Sequence, residues 1–154
     1  MRVKGYNRNL RHKRKNNEQN NLMASALEAK GYKVICNKLG ANMLSGIATT
    51  VLQEMSIFGK LKADYACLEI DEAYTPIVFD YVKPDVMVIT NLFRDQLDRY
   101  GEIDITSDII KRAIKKVPNL KLVLNGDDPL CVQFGRGKRQ GILLRNIRKG
   151  TSAA

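Results

Sequence analysis

Apolar and polar positions from residue 20 onward alternate between a helical period and short apolar runs. Helical spacing is clear in "NLMASALEAK", "NMLSGIATTVLQEM", "EAYTPIVFDYV" and "TSDIIKRAIKKV". Gly31 is the predicted end of the first helix, Asn42 the N-cap of the second, and Thr106 or Ser107 the N-cap of the fourth. The runs "YKVICN", "ADYACLEI", "DVMVITN" and "LKLVLN" are typical of buried strands. This alternation predicts an α/β domain with a mainly parallel sheet flanked by helices.

Polar side chains follow each of these four predicted strands. They are Asn37; Glu69, Asp71 and Glu72; Thr90 and Asn91; and Asn125, Asp127 and Asp128. Ligands of parallel α/β sheets lie beyond the carboxyl ends of the strands, and hard oxygen ligands hold Mg²⁺ against phosphates. Turn formation explains any single one of these residues equally well. Four such strand ends together predict a magnesium and phosphate site at one edge.

Length and composition favour a single globular domain. The chain has 154 residues, 44% of them hydrophobic, which is enough for a real core. No apolar run approaches the length of a membrane span, and the N-terminus lacks the apolar centre of a signal peptide, so we expect a cytoplasmic protein. Cys36, Cys67 and Cys131 form no C-x-x-C pair, so we expect buried reduced thiols and no zinc site.

The net charge of +10 is concentrated at the two ends of the chain. Residues 1–19 hold seven Lys or Arg and one Glu, and residues 136–149 hold six Lys or Arg and no acid, so each stretch contributes +6. Residues 20–135 therefore carry −2. A nucleic-acid-binding domain usually spreads its basic residues over one face of the fold. Binding to nucleic acid would have to come from the tails alone, so we do not expect a nucleic-acid partner.

Four motifs resemble the central ATPase domain of the Mur ligase superfamily. They are "NKLGANMLSGIATT", "CLEIDEA", "ITNLFRDQLDRYGEID" and "LNGDDP", and the resemblance covers roughly residues 20–135. The third motif is the most specific, and it is similar to the MurT branch, the synthetase subunit of lipid II isoglutaminyl synthase. The resemblance implies a fold like that of P-loop NTPases, here truncated and without its phosphate loop.

The resemblance also implies an activity, cofactors and partners. Mur ligases use ATP and Mg²⁺ to activate a carboxylate as an acyl phosphate, which an amine then attacks. In MurT-type enzymes the carboxylate is the α-carboxylate of D-glutamate in lipid II or a related muropeptide, and ammonia comes from a GatD-like glutaminase subunit. The implied role is amidation in peptidoglycan synthesis, through a phosphoryl transfer that depends on positioning and charge neutralisation.

Site residues follow from matching each motif position. Glu69 corresponds to the metal-binding glutamate, and Gln96 stands where many Mur ligases have a metal-associated histidine, so both are expected to be catalytic. Asn125 corresponds to the nucleotide-contacting asparagine, with Asp127 beside it, and Asn91 is expected in the same nucleotide site. The loop expected to face the substrate consists of Gly40, Ala41, Asn42 and Met43.

The phosphate loop T-G-T-N-G-K-T of Mur ligases is missing, and "NLRHKRKNNEQ" stands in its place. The codons CAC AAA CGG AAA AAC AAC GAA CAA are permitted for residues 12–19, and reading them one base later gives T-N-G-K-T-T-N. An Arg11 codon that ends in GG adds the preceding Gly. We therefore expect residues 1–19 to be a frameshifted remnant, residues 20–135 a partial central domain, and residues 136–154 an out-of-frame basic tail.

Loss of the phosphate loop predicts a chain without ligase activity and with weak nucleotide binding at best. We also expect the first strand and the C-terminal ligand-binding domain to be missing, and marginal stability to follow from the exposed sheet. Two alternatives stay open: another Mur-superfamily ligase similar to folylpolyglutamate synthase, and a non-enzymatic binding module that uses its basic tails.

Overall fold

The computed structural model describes residues 2–5, 13–37, 41–92, 100–136 and 141–144. Its strands are Arg2–Gly5 (β1), Val34–Cys36 (β2), Tyr65–Cys67 (β3), Val86–Ile89 (β4), Lys121–Asn125 (β5) and Gly141–Leu144 (β6). Its helices are Lys13–Glu28 (α1), Leu44–Gln53 (α2), Thr75–Tyr81 (α3), Tyr100–Lys115 (α4) and Pro129–Val132 (α5), followed by a 3₁₀ turn at Gln133–Gly135.

The strands form one six-stranded sheet in the order β2-β3-β1-β4-β5-β6, and every pair is parallel. Helices connect successive strands, so the predicted α/β fold with a mainly parallel sheet is confirmed. The expectation that the first strand is missing is wrong. Arg2–Gly5 lies in the middle of the sheet, with Val3 opposite Ala66 on one side and Lys4 opposite Val86 on the other.

The core lies between the sheet and its helices. Its fully buried members come mainly from the strands, the residues just after them, and α3 and α4, and include Leu68, Phe79, Met87, Ile110 and Leu122. The apolar spacing of "TSDIIKRAIKKV" predicts that Ile109, Ile110, Ala113, Ile114 and Val117 face inward. All of these except Ile109 are buried, and Val117 lies just after the end of α4. The chain leaves α4 just before Pro118, which cannot continue a helix.

Two predicted helix starts are wrong. Helix α4 begins at Tyr100, so Thr106 and Ser107 lie inside it, because nothing between residues 100 and 105 stops the helix and an N-cap acts only where a helix begins. Met43, not Asn42, is the N-cap residue of α2. Asn42 is buried, and its backbone carbonyl accepts a hydrogen bond from the Asp71 amide at 3.0 Å.

Strand β6 lies in the stretch that we expected to be an out-of-frame tail. It pairs along its whole length with β5, from Gly141 opposite Leu122 to Leu144 opposite Asn125. All four of its residues are exposed, although three of them are large and apolar. Within the described ranges, no helix is both long enough and apolar enough to cross a membrane.

Candidate functional site

The carboxyl edge of the sheet brings most of the predicted site residues to one side of the molecule. Glu69 follows β3, Asn91 follows β4, and Asn125 ends β5. Strand β1 stands between β3 and β4. Neighbouring strands are about 4.8 Å apart, so the strands that carry Glu69 and Asn91 are separated by about 10 Å. The carboxyl end of β1, at Gly5, lies between them.

Asn91, Asn125 and Asp127 form one hydrogen-bonded group. The Asn125 side-chain amide donates to Oδ1 of Asn91 at 3.0 Å, and Oδ1 of Asn125 accepts from the Asp127 backbone amide at 3.0 Å. These three residues and Thr90 are the polar part of a pocket of about 610 Å³. Its apolar wall comes from α1, β4, β5 and β6: Leu22, Met23, Ala26, Val88, Ile89, Val123, Leu124 and Leu144.

Glu69 lies outside that pocket and belongs to a second group with Asn37. Oδ1 of Asn37 accepts from the Glu69 backbone amide at 2.8 Å, and Nδ2 of Asn37 donates to the Glu69 carbonyl at 2.8 Å and to the Ala41 carbonyl at 2.7 Å. Both Asn37 and Glu69 are buried. Asn37 therefore joins the ends of β2 and β3 to the loop that precedes α2.

The predicted substrate loop, as far as the structure describes it, lies beside Glu69 and outside the pocket. Ala41 and Asn42 are tied to the β3 side by the hydrogen bonds to Asn37 and Asp71, and Met43 is half exposed. Gly40 and Gln96 lie outside the described residues. The structure thus has Asn91, Asn125 and Asp127 in one group and Glu69, Ala41 and Asn42 in another, at the same edge of the sheet.

Asp71 builds the turn that leads into α3. Its Oδ1 accepts from the Ala73 amide at 3.1 Å, and its carbonyl accepts from the Tyr74 amide and from the Thr75 hydroxyl at 3.0 Å. This is the turn-forming role that an Asx residue plays after a strand. For Asp71, turn formation accounts for the residue.

Asp128 is an important residue that the motif comparison did not single out. Its Oδ1 accepts from the Leu130 amide at 2.9 Å and caps α5, while Oδ2 accepts from the Leu92 amide at 3.0 Å. The loop after β4 is therefore fastened to the loop after β5, next to the Asn91–Asn125 pair. The signal was available, because an Asp directly before a Pro is typical of a helix start.

Cys131 donates from its thiol to Oδ2 of Asp128 at 3.3 Å and is fully buried. Burial raises the pKa of the Cys131 thiol far above its usual range, and the hydrogen bond to Asp128 and the charge of Asp128 raise it further. The thiolate is the reactive form of cysteine. Cys131 is therefore an inert structural thiol in the folded chain. The expected burial is found for Cys67 and Cys131. It is wrong for Cys36, which is partly exposed because β2 is the edge strand of the sheet.

We expect iodoacetamide to label Cys36 in the folded chain and to leave Cys67 and Cys131 unlabelled at pH 8. Cys36 is partly exposed, whereas the other two thiols are buried. Mass spectrometry of tryptic peptides would identify the labelled residues, with a guanidinium-unfolded sample, labelled at all three, as the control. Fast native labelling of Cys131 would contradict its placement.

Because the folded state holds the Cys131 proton more tightly, the free energy of unfolding should also fall as pH rises above about 8.5.

The donor set at this edge suits magnesium held jointly with phosphates. Among the residues whose side chains are described, no three His, Cys, Asp or Glu come together as a metal-binding group. Mg²⁺ commonly takes only one or two carboxylates and completes its shell with water and phosphate oxygens. One buried carboxylate, Glu69, at the end of a strand beside β1 fits that pattern.

Two sequence relatives are the same subunit of one kind of enzyme, from two organisms. The chain is 51% identical over 98 residues to the lipid II isoglutaminyl synthase (glutamine-hydrolyzing) subunit MurT of Streptococcus pneumoniae, a match that covers 64% of this chain and 22% of the relative. It is 42% identical over 109 residues to the MurT subunit of Staphylococcus aureus, covering 71% of this chain and 24% of the relative. The chain thus matches less than a quarter of the length of each relative.

Solved structures of two other ligases have the same fold. A UDP-N-acetylmuramoyl-L-alanyl-D-glutamate–2,6-diaminopimelate ligase superposes with a TM-score of 0.66 and 17% identity, over 94% of this chain and 31% of that protein. A UDP-N-acetylmuramoylalanyl-D-glutamyl-2,6-diaminopimelate–D-alanyl-D-alanyl ligase from Acinetobacter baumannii gives 0.68 and 11%, over 94% and 30%. At these identities the likeness concerns the fold alone. No protein-family model matches the chain.

Proposed function

We propose that this chain, which carries a MurT-like segment of a Mur ligase, is part of a ligase of peptidoglycan synthesis. We also propose that its phosphate-binding loop is damaged. The activity in question is ATP-dependent amidation of the α-carboxylate of D-glutamate in lipid II or a related muropeptide. A GatD-like glutaminase subunit is the proposed source of ammonia, and the cytoplasm is the proposed location. The relatives support this proposal through their identity of 42–51% with the chain.

The geometry of the sheet edge supports a division of roles. The hydrogen-bonded amides of Asn91 and Asn125 stand in the pocket beside α1, where the polar edge and the apolar wall suit a nucleotide. Glu69 stands across β1 and is the proposed magnesium ligand, with Gln96 as a second catalytic residue. Magnesium supplies charge neutralisation for the transferred phosphoryl group. The loop of Gly40, Ala41, Asn42 and Met43 is the proposed contact to the muropeptide.

The connection between β1 and α1 is the proposed defect. In a P-loop fold the glycine-rich loop joins a central strand to the next helix, and its backbone amides and lysine hold the phosphates. β1 is such a central strand, and α1 follows it. The intervening sequence "YNRNLRH" and the start of α1, "KRKNNE", contain no glycine, so Lys15 stands without the glycine-rich loop that would hold phosphates. We propose that a change of reading frame altered this stretch, and that residues 136–154 are also out of frame.

We expect the chain to bind Mg-ATP no more tightly than about 1 mM, which corresponds to roughly −4 kcal/mol. The pocket keeps its amides, but the glycine-rich loop whose backbone amides hold the phosphates is absent from residues 6–18. Electrostatic contacts of that kind are worth orders of magnitude. Isothermal titration of the purified chain with Mg-ATP measures this, with Mg-GTP as the matched nucleotide control. A dissociation constant in the micromolar range would overturn the proposed defect.

The coding DNA provides an independent test of the same proposal. The bases that encode residues 11–18, together with the first base of the Gln19 codon, should spell G-T-N-G-K-T-T-N when they are read one base later. A sequence in which these codons use other permitted bases, so that no frame spells the loop, would contradict the frameshift while leaving the likeness to MurT in place.

A further inference from the structure

Asn37 makes an unusually complete set of hydrogen bonds for a residue in a loop. Both hydrogens of its side-chain amide are used, one on the Ala41 carbonyl and one on the Glu69 carbonyl, and its oxygen accepts from the Glu69 amide. Only 2% of its surface is exposed. A buried amide that satisfies three backbone groups fixes their relative positions, because any movement leaves a buried polar group unpaired.

The loop that Asn37 holds is confined from its other side by α2. A Cβ atom on Gly46 would stand 2.7 Å from both the Cβ and the carbonyl oxygen of Ala41, so only glycine permits this approach of helix and loop. The next residue, Asn42, accepts from the Asp71 amide through its carbonyl. The loop is therefore hydrogen bonded at two points: to Asn37, which also binds the Glu69 backbone, and to the Asp71 amide, two residues after Glu69.

We propose that Asn37 is a positioning residue that sets the loop of Ala41, Asn42 and Met43 in register with Glu69. This inference rests on the proposed function, which supplies the roles of the loop as acceptor contact and of Glu69 as metal ligand. Gly46 is the second part of the device, since it lets the loop lie against α2. An in-line transfer between a metal-bound phosphate and an acceptor requires these two parts of the site at a fixed distance.

The chemistry of the side chain accounts for asparagine at this position. Aspartate has the same shape and keeps the acceptor for the Glu69 amide, but its carboxylate cannot donate to the two carbonyls. Alanine removes all three hydrogen bonds. The variants Asn37→Asp and Asn37→Ala therefore separate the connection to β3 from the connection to the loop. Gly46→Ala displaces the loop while the Asn37 side chain itself is not substituted.

Amide hydrogen exchange of the full chain, followed by NMR, tests the coupling directly. We expect Asn37→Ala to accelerate exchange of the Glu69 and Asp71 amides at least tenfold relative to the Leu124 amide. Asn37→Asp should accelerate Asp71 alone by that amount, because the Glu69 amide keeps its acceptor. Gly46→Ala should likewise act on Asp71. The Asp71 amide does not contact Asn37, so a merely local packing role would leave its exchange unchanged.

Val117→Ala is the matched control, because it removes buried volume just after α4, away from this group. It should change the exchange of Glu69, Asp71 and Leu124 in the same proportion. Unchanged relative exchange of Asp71 in both the Asn37→Asp and Gly46→Ala variants would overturn the proposal. If Asn37→Ala fails to fold, these two variants still decide the outcome.

A second arm tests the role of Glu69 separately. Mn²⁺ alone, added to the full chain, should broaden the amide signals around Glu69, and Glu69→Gln should abolish the broadening. Absence of broadening in the unaltered chain would contradict the proposed metal site and would leave the exchange result to decide the role of Asn37. Faster Asp71 exchange together with at least fivefold weaker Mn²⁺ binding in Asn37→Ala supports both.

Discussion

Replacing residues 11–18 by G-T-N-G-K-T-T-N is expected to raise the affinity of the chain for Mg-ATP by at least about 100-fold. The substitutions are Arg11→Gly, His12→Thr, Lys13→Asn, Arg14→Gly, Asn16→Thr, Asn17→Thr and Glu18→Asn, and Lys15 stays in place. Isothermal titration of the altered and unaltered chains with Mg-ATP gives the ratio. A gain of this size corresponds to about 2.7 kcal/mol.

The expected gain has three physical sources. Glycine lets backbone amides approach the phosphates, and the helix N-terminus adds a favourable electrostatic field. Lys15 would face the terminal phosphates, and the hydroxyl after it would join the magnesium shell. The rest of the site needs no rebuilding, because β1 ends in the centre of the sheet and the Asn91–Asn125 pair is hydrogen bonded at 3.0 Å.

The matched control is the same restored chain with Lys15→Ala. It keeps the glycines and the hydroxyls and lacks only the charge, so most of the gain should disappear. Glu69→Gln in the restored chain should weaken the magnesium dependence of binding without altering the fold. Equal affinities of the unaltered and restored chains would show that the β1–α1 connection is not a phosphate site, and the proposed function would lose its main support.

The periodic elements of this fold could be predicted from sequence because their residues are decided by burial. The inner face of α4 and strand β5 follow directly from apolar spacing. The N-caps could not be predicted in the same way, since a capping side chain is one of several uses for a polar residue. Asn42 illustrates this, because its backbone carbonyl accepts a hydrogen bond from the Asp71 amide and the helix begins only after Met43.

The short terminal strands were missed for a different reason. "RVKG" and "GILL" carry too little periodicity to stand out, and their place in the sheet depends on partners far away in sequence. Strand β1 pairs with Ala66 on one side and with Val86 on the other, and β6 pairs with Leu124 at the edge of the sheet. Both pairings are tertiary effects. Local pattern reasoning therefore finds β5 and overlooks β1 and β6.

The candidate site could be predicted in its location more readily than in its internal contacts. Parallel topology alone places Glu69, Asn91 and Asn125 at one edge. Their division into two groups depends on β1, which sequence reasoning had removed from the sheet. The roles of Asn37 and Asp128 depend on hydrogen bonds to residues 32 and 36 positions away, which no local motif records.

Truncation of Phe79 to alanine is expected to cost about 3–5 kcal/mol of unfolding free energy. Phe79 has no exposed surface and belongs to the main core, in the short helix α3 that follows the Glu69 turn. The ion pair of Lys116 with Asp80, at 2.7 Å, also joins α3 to the turn that follows α4. Its side chains are 36% and 53% exposed, so solvent screens the pair and it contributes at most about 1 kcal/mol. Burial of Phe79 is therefore the dominant attachment of α3.

Thermal and guanidinium unfolding of the variant and the unaltered chain measure this cost. For a domain of this size the midpoint should fall by roughly 10 °C or more. Tyr81→Ala is the control, because Tyr81 is on the same helix and 79% exposed, and its loss should stay within about 0.5 kcal/mol.

Since domains have only about 5–15 kcal/mol of stability, Phe79→Ala can leave the chain unfolded. Phe79→Leu, expected to cost under about 1.5 kcal/mol, then provides the measurement. Equal losses for Phe79→Ala and Tyr81→Ala would mean that α3 is not packed on the sheet, and Glu69 would then lack the helix that supports its turn.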